Sequence, residues 1–125
     1  MLSWKRPDNL GVRDGLLAAC KRSPNCVSSQ ANPSDVGHYI APIHGSMAAV
    51  RQAVESMPRT TIVEERQNYL YAEFRTKLLR YVDDVELLFD GNAIQVRSAS
   101  RLGRRDFGVN RERVEELRRI MEERR

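Results

Sequence analysis

The sequence predicts an α+β fold: an antiparallel sheet of four to five strands with two helices on one face. Three observations predict it. Four β-branched or alternating segments follow one another between residues 60 and 100. Apolar stripes at helical spacing stand before and after them. A tight-turn signal, Asp90-Gly91, joins the last two strands.

Residues 1–36 carry Pro7, Pro24, Pro33, Gly11 and Gly15 without a sustained apolar period. They read as an extended N-terminal arm packed on a single domain of residues 37–125, with one turn of helix around Leu16 to Ala19. Tyr39 to Ile43 is a short strand whose Pro42 suits a sheet edge. Ser46 is placed to cap a helix with the stripe Met47, Val50, Val54 and Met57, which Pro58 ends. Thr60 to Glu65 is rich in β-branched residues. Tyr69 to Thr76 alternates, with Leu70, Ala72 and Phe74 on one face and Tyr69, Tyr71, Glu73 and Arg75 on the other.

Val82 to Phe89 and Asn92 to Ser100 pair through Asp90-Gly91. A two-residue loop sets Leu87 opposite Ile94, Val85 opposite Val96 and Asp83 opposite Ser98 on the core side. On the other face it sets Glu86 opposite Gln95 and Asp84 opposite Arg97. A four-residue loop would set Glu86 opposite Arg97; the better turn chemistry favours the first register. Gly103 and Gly108 bracket a loop, and Asn110 caps a last helix with the stripe Val114, Leu117, Ile120 and Met121. The order is the β-α-β4-α layout of TATA-binding-protein-like folds, a likeness of layout that carries no implication of DNA binding.

Charge is concentrated in one place. Lys and Arg number 21, of which 18 are Arg, against 17 Asp and Glu. The excess of +4 falls wholly between Arg97 and Arg111, where five Arg meet one acid, Asp106. Arg97, Ser98, Arg101, Arg104, Asn110 and Arg111 are the candidate ligand-binding residues. Guanidinium forks beside free N–H groups at a helix start suit a phosphate, sulfate or carboxylate. The competing account pairs these Arg internally with Asp83, Asp84, Glu86 and Asp106. One basic segment with few interleaved aromatics argues against nucleic acid.

Cys20 and Cys26 are expected as two free thiols in a reducing cytosol, although an oxidising compartment could close a small loop between them. A reactive Cys26 would need a cation or His nearby to lower its pKa, which His38, His44 or Arg97 could supply if the arm folds back over the sheet; otherwise it anchors a Pro-Asn turn. The Cys and His spacing fits zinc poorly, so no metal and no cofactor are expected. Asp83 and Asp84 point to opposite faces of a strand and cannot act as a catalytic pair. No apolar run approaches the ~20 residues of a membrane helix. Arg13 and Asp14 interrupt any signal leading to Leu17-Ala18-Ala19-Cys20, so a cytoplasmic protein without membrane insertion is expected.

Three stretches carry a resemblance: Ser23-Pro24-Asn25-Cys26-Val27-Ser28-Ser29-Gln30, Asp83-Asp84-Val85-Glu86, and Arg97 to Arg113, read RSASRLGRRDFGVNRER. With Asn9-Leu10-Gly11 they resemble DUF1499, a family of proteins of unknown function, from about Pro7 to Leu117. Lys21 stands where the family often has Pro after the first Cys. The resemblance implies no activity. Relatives can carry export or membrane segments. The residues themselves favour a small soluble, non-catalytic binding module for an anionic small molecule or a protein partner. Its arm would cross the sheet face bearing Tyr71, Asp84 and Arg97, with Asn25 and Cys26 joining the network of Asp83, Asp84 and Asp106. The alternatives are a thiol-dependent enzyme or redox protein using Cys26 with His38 and with Cys20 as resolving partner, and a structural accessory subunit.

Overall fold

The computed structural model describes residues 5–78, 81–103 and 108–124. Its elements run β1 (Cys26–Ser28), α1 (Met47–Ser56), β2 (Thr60–Arg66), β3 (Tyr69–Arg75), β4 (Val82–Phe89), β5 (Ile94–Ser100) and α2 (Val109–Glu123). The five strands form one antiparallel sheet in the order β1-β5-β4-β3-β2. The α+β class and the β-α-β4-α order follow directly.

Strand alternation explains the layering. Leu70, Ala72 and Phe74 of β3, Val85 and Leu87 of β4, and Ile94 and Val96 of β5 share one core. Val50, Ala53 and Val54 of α1 and Val114, Leu117 and Met121 of α2 fill the same core, so both helices lie on one face. Ser46 caps α1 by accepting the Ala49 N–H at 3.0 Å, and the chain leaves the helix at Met57, ahead of Pro58. The opposite face is buried as well. Tyr69, Tyr71, Glu73, Asp84, Glu86, Leu88 and Arg97 lie beneath residues 5–20, with Leu10 and Leu17 packed in the cluster of Tyr69, Tyr71 and Leu88.

Four local expectations are corrected. The first strand is Cys26–Ser28 and not Tyr39 to Ile43, which makes only isolated bridges from Tyr39 to Ser28 and from Ile43 to Ile94. Pro42 has no N–H to continue a ladder. No helical turn forms at Leu16 to Ala19. Arg13 and Leu16 exchange backbone bonds of 2.9 and 3.0 Å around Asp14 and Gly15, which take φ 55° and 75°, a miniature hairpin with a primed turn.

The β4–β5 hairpin takes the other register: Phe89 faces Ile94, Leu87 faces Val96, Val85 faces Ser98 and Glu86 faces Arg97. The turn is centred on Gly91-Asn92, with Gly91 at φ 102°. The Asp90 carboxylate accepts the N–H groups of Asn92 and Ala93 at 2.9 and 3.0 Å, and the Asp90 N–H donates to the Ala93 carbonyl. Asp90 therefore serves as the last residue before the turn. The slip of two positions leaves every side chain on its expected face.

The fourth correction concerns α2, whose N-cap is Gly108 at φ 82° and not Asn110. Asn110 lies one residue inside the helix and is fully buried. Its Oδ1 accepts the Ser98 hydroxyl at 2.6 Å, and its Nδ2 donates to the Asn25 carbonyl at 3.2 Å and to Ser100 Oγ at 2.9 Å. It ties α2 to β1 and β5. We expect Asn110→Ala to cost about 2–3 kcal/mol in chemical denaturation, because buried partners are stranded. Asn110→Ser, as good a helix cap as Asn, should cost nearly as much, whereas a capping role would leave it near wild type.

Candidate functional site

The face covered by residues 5–20 concentrates the charge. Arg101 is its centre, with a side chain only 8% exposed. Its Nε donates to Asp84 Oδ2 at 2.9 Å. Its Nη2 reaches Asp84 Oδ1 at 2.8 Å, Glu73 Oε2 at 2.6 Å and the Tyr71 hydroxyl at 3.2 Å. The Tyr71 hydroxyl in turn donates to Asp84, and Glu73 Oε2 lies 3.2 Å from the same oxygen. The fork on Asp84, with Glu73 beside it, holds the Arg101 guanidinium well above its ordinary pKa. Burial pushes the Glu73 carboxyl up, but hydrogen bonds from Arg6 and Arg101 outweigh it and leave Glu73 below the carboxylate range. Burial, followed by the bond to Asp84, pushes the Tyr71 phenol far up.

A second group lies one rung along. Glu86 is fully buried, and its Oε2 accepts the Tyr69 hydroxyl at 2.6 Å and the Gly11 N–H at 2.7 Å. Its Oε1 stands 3.8 Å from Arg97 Nη1, beyond hydrogen-bond reach. Burial lowers the Arg97 pKa, and Arg97 Nη2 donates to the Ala19 carbonyl at 3.5 Å. Arg6 closes the outer end, with Nη2 at 2.7 Å from Glu73 and its guanidinium 5.7 Å from the Tyr71 ring centre. A groove of about 350 Å³ remains between residues Arg6 to Val12 and the β2–β3 edge.

The helix-side face carries its own polar knot at the same end of the sheet. Asp83 pairs with Arg113 at 2.8 Å, and Arg113 lies over Phe74 and donates to Asn110 Oδ1 at 3.0 Å. The predicted ligand residues are thus divided. Arg97 and Arg101 are on the covered face and bound to carboxylates or backbone, while Ser98 and Asn110 are on the helix face. Arg111 donates to the Val36 and Gly37 carbonyls. Arg104 and Asp106 lie outside the described residues. No single anion cradle is assembled from the described members, because odd and even positions of β5 point to opposite faces.

Cys26 is corrected more sharply. It is joined to Cys20 in a disulfide, with Cα atoms 5.7 Å apart, so neither expected free thiol exists in this structure. Six residues of separation let the covering segment turn back onto β1, a geometry that spacing alone left open. Asn25 fixes the turn between them. Its Oδ1 accepts the Ser23 hydroxyl, and its Nδ2 donates to the Leu102 and Gly103 carbonyls at 3.3 and 2.7 Å. His38 braces the same loop, with Nε2 at 2.9 Å from the Ser23 carbonyl and Nδ1 at 2.8 Å from Asp35. Cys20 lines a cleft of about 340 Å³ with His38, Gln30 and Leu17.

Sequence reasoning missed Glu73, Tyr69, Arg6 and Arg113 as members of these networks. Tyr69, Tyr71 and Glu73 share one strand face, and strand period gave that signal. Nothing local marked Arg6 or Arg113, whose partners are 67 and 30 positions away. Among the described residues no group of three or more His, Cys, Asp or Glu could hold a metal ion. Among them, too, no helix is long and apolar enough to cross a membrane.

The model of the family described as "Protein of unknown function (DUF1499)" matches residues 16–121. No curated protein and no solved structure matches the chain.

Two outcomes follow from the geometry. Arg101→Ala strands two buried carboxylates and should lower the unfolding free energy by about 3–5 kcal/mol. A loss below about 1 kcal/mol in urea denaturation would mark the cluster as an exposed ion pair. The bond to the Ser23 carbonyl, then Asp35, raise His38 above its ordinary 6.5, outweighing burial and Arg111. Its contribution is therefore complete below about pH 6.5 and is lost as pH rises through the folded value. The stability difference between wild type and His38→Gln, measured in urea from pH 5.5 to 8.5, should shrink with rising pH.

Proposed function

The chain belongs to the DUF1499 family of proteins of unknown function, and since that kinship assigns no activity, we propose from its own geometry that it is a non-catalytic binding module for a polypeptide segment. The supporting observation is the way residues 6–19 lie on the covered face. Arg6 sets its fork on Glu73 and its plane over Tyr71. Leu10 and Leu17 enter the cluster of Tyr69, Tyr71 and Leu88. The Gly11 N–H is accepted by Glu86, and the Ala19 carbonyl takes a donor from Arg97. Apolar anchors are thus combined with a main-chain donor and a main-chain acceptor along one segment. The covering segment is in effect a resident ligand.

This reading favours the protein partner over the anionic small molecule, because Arg97 and Arg101 already face carboxylates. Catalysis by a Cys26 thiolate would require that its sulfur leave the bond to Cys20.

The test uses a synthetic peptide of residues 5–19 and the full chain carrying Gly11→Pro. Gly11 sits at φ 97° and donates to Glu86. Proline can neither adopt that angle nor donate, so the resident segment should loosen. The peptide should bind this variant at least about tenfold more tightly than wild type, whose own segment competes at an effective concentration near millimolar. Chemical-shift changes should fall on β3, β4 and β5. A folded variant that ignores millimolar peptide would leave the structural accessory subunit as the better account.

A further inference from the structure

We infer that the Cys20–Cys26 disulfide is a redox latch that holds the covering segment on the sheet face. The inference rests on the reading of that face as a recognition surface and adds how access to it is controlled. Cys26 is anchored in β1 and 3% exposed. Cys20 ends the covering segment directly after Ala19, whose carbonyl meets Arg97. The bond therefore clamps one end of the segment to the sheet. Elsewhere the segment is held by reversible contacts: Arg6 on Glu73, Gly11 on Glu86, the Leu17 N–H on Gln30 at 2.9 Å, and the side chains of Leu10 and Leu17.

The two sulfurs differ in access. Cys20 is half-buried on the wall of an open cleft, while Cys26 lies inside. Lys21 and Arg22, both exposed, follow Cys20 and favour the approach of an anionic thiolate. A dithiol supplies the electrons. Its thiolate attacks Cys20 Sγ, and Cys26 leaves as a thiolate and takes up a proton. The second thiol of the reductant then displaces Cys20, which leaves as a thiol, and the reductant departs as a cyclic disulfide. Two electrons and two protons have entered the protein. The segment then keeps its chain connection through residues 21–25 but loses its clamp. Loop-closure arithmetic for so short a ring gives on the order of 10- to 50-fold more frequent opening.

Hydrogen exchange of the full chain, read by mass spectrometry with and without dithiothreitol, tests the latch. Exchange over residues 6–19 should rise at least about tenfold on reduction, while β3, β4 and β5 stay protected. The variant Cys20→Ser, Cys26→Ser should show the open pattern without reductant. Exchange in residues 6–19 that changes by less than about twofold overturns the latch and leaves the binding reading intact. Exchange that rises throughout the sheet also overturns it, since the bond would then staple the whole fold. Titration of the reduced protein with the residue 5–19 peptide separates the two ideas. An opened segment with no peptide binding supports the latch and removes the recognition surface.

Discussion

The covered face of the sheet depends on the guanidinium of Arg101. Three carboxylates, Glu73, Asp84 and Glu86, point into space that residues 5–20 close off from water. Unpaired, each would carry a desolvation penalty of several kcal/mol. Arg101 neutralises two of them in one planar fork, and it can do so because of the hairpin register. Asp84 lies opposite Ala99, whose methyl leaves room above the carboxylate, and Arg101 reaches it diagonally from two residues further along the chain, just past β5. In the two-residue-loop register Arg101 would stand opposite position 80, before β4 begins. The Asp90 turn and the charge network are thus one constraint seen at two ends of a hairpin.

The slip also decides what kind of pair Arg97 makes. Directly across from Glu86, it stands too far for a hydrogen bond, and Glu86 turns to Tyr69 and to the Gly11 backbone. The second buried carboxylate pair is therefore completed by the covering segment and not by the sheet alone. Removing that segment would leave Glu86 with Tyr69 as its hydrogen-bonding partner and Arg97 without the Ala19 carbonyl. The face is built to meet backbone groups of the segment that covers it. Buried charge has little value for stability by itself; here the covering segment supplies a donor to Glu86 and an acceptor to Arg97.

The legible part of this architecture was the part with a period. Alternation placed Leu70, Ala72 and Phe74 on one face and Tyr71 and Glu73 on the other, and helical spacing placed Val50, Val54, Val114 and Leu117 in the core. A slip of two positions preserves alternation, so the pattern could fix the faces without fixing Glu86 against Arg97. The choice between loops turned on Asp90, whose carboxylate accepts two N–H groups when it precedes the turn. Asp14-Gly15 formed the primed turn that Asp90-Gly91 was expected to form. The same dipeptide thus has two outcomes, and the flanking strand contacts choose between them. Asn110 misled for a related reason: its side chain suits a cap and equally suits a buried triple contact with Asn25, Ser98 and Ser100.

The disulfide and the charge network are neighbours on the covered face of the sheet. Cys26 and Ser28 share the covered face of β1, and Cys26 lies opposite Ala99, in the rung that also holds Asp84 and Glu73. Asn25, one residue before, binds the Leu102 and Gly103 carbonyls beyond Arg101, and its own carbonyl accepts Ser100 and Asn110. The β1 edge is thus also held by polar contacts of Asn25 and Asn110 that do not involve Cys20. Opening the bond need not disturb this edge, because its load is carried by Asn25 and Asn110. The bond adds a covalent clamp at Cys20 to a loop that Asn25 and His38 already brace. A short ring at the exit of a covering segment, seated on an edge already held by other means, restrains that segment far more than it restrains the sheet.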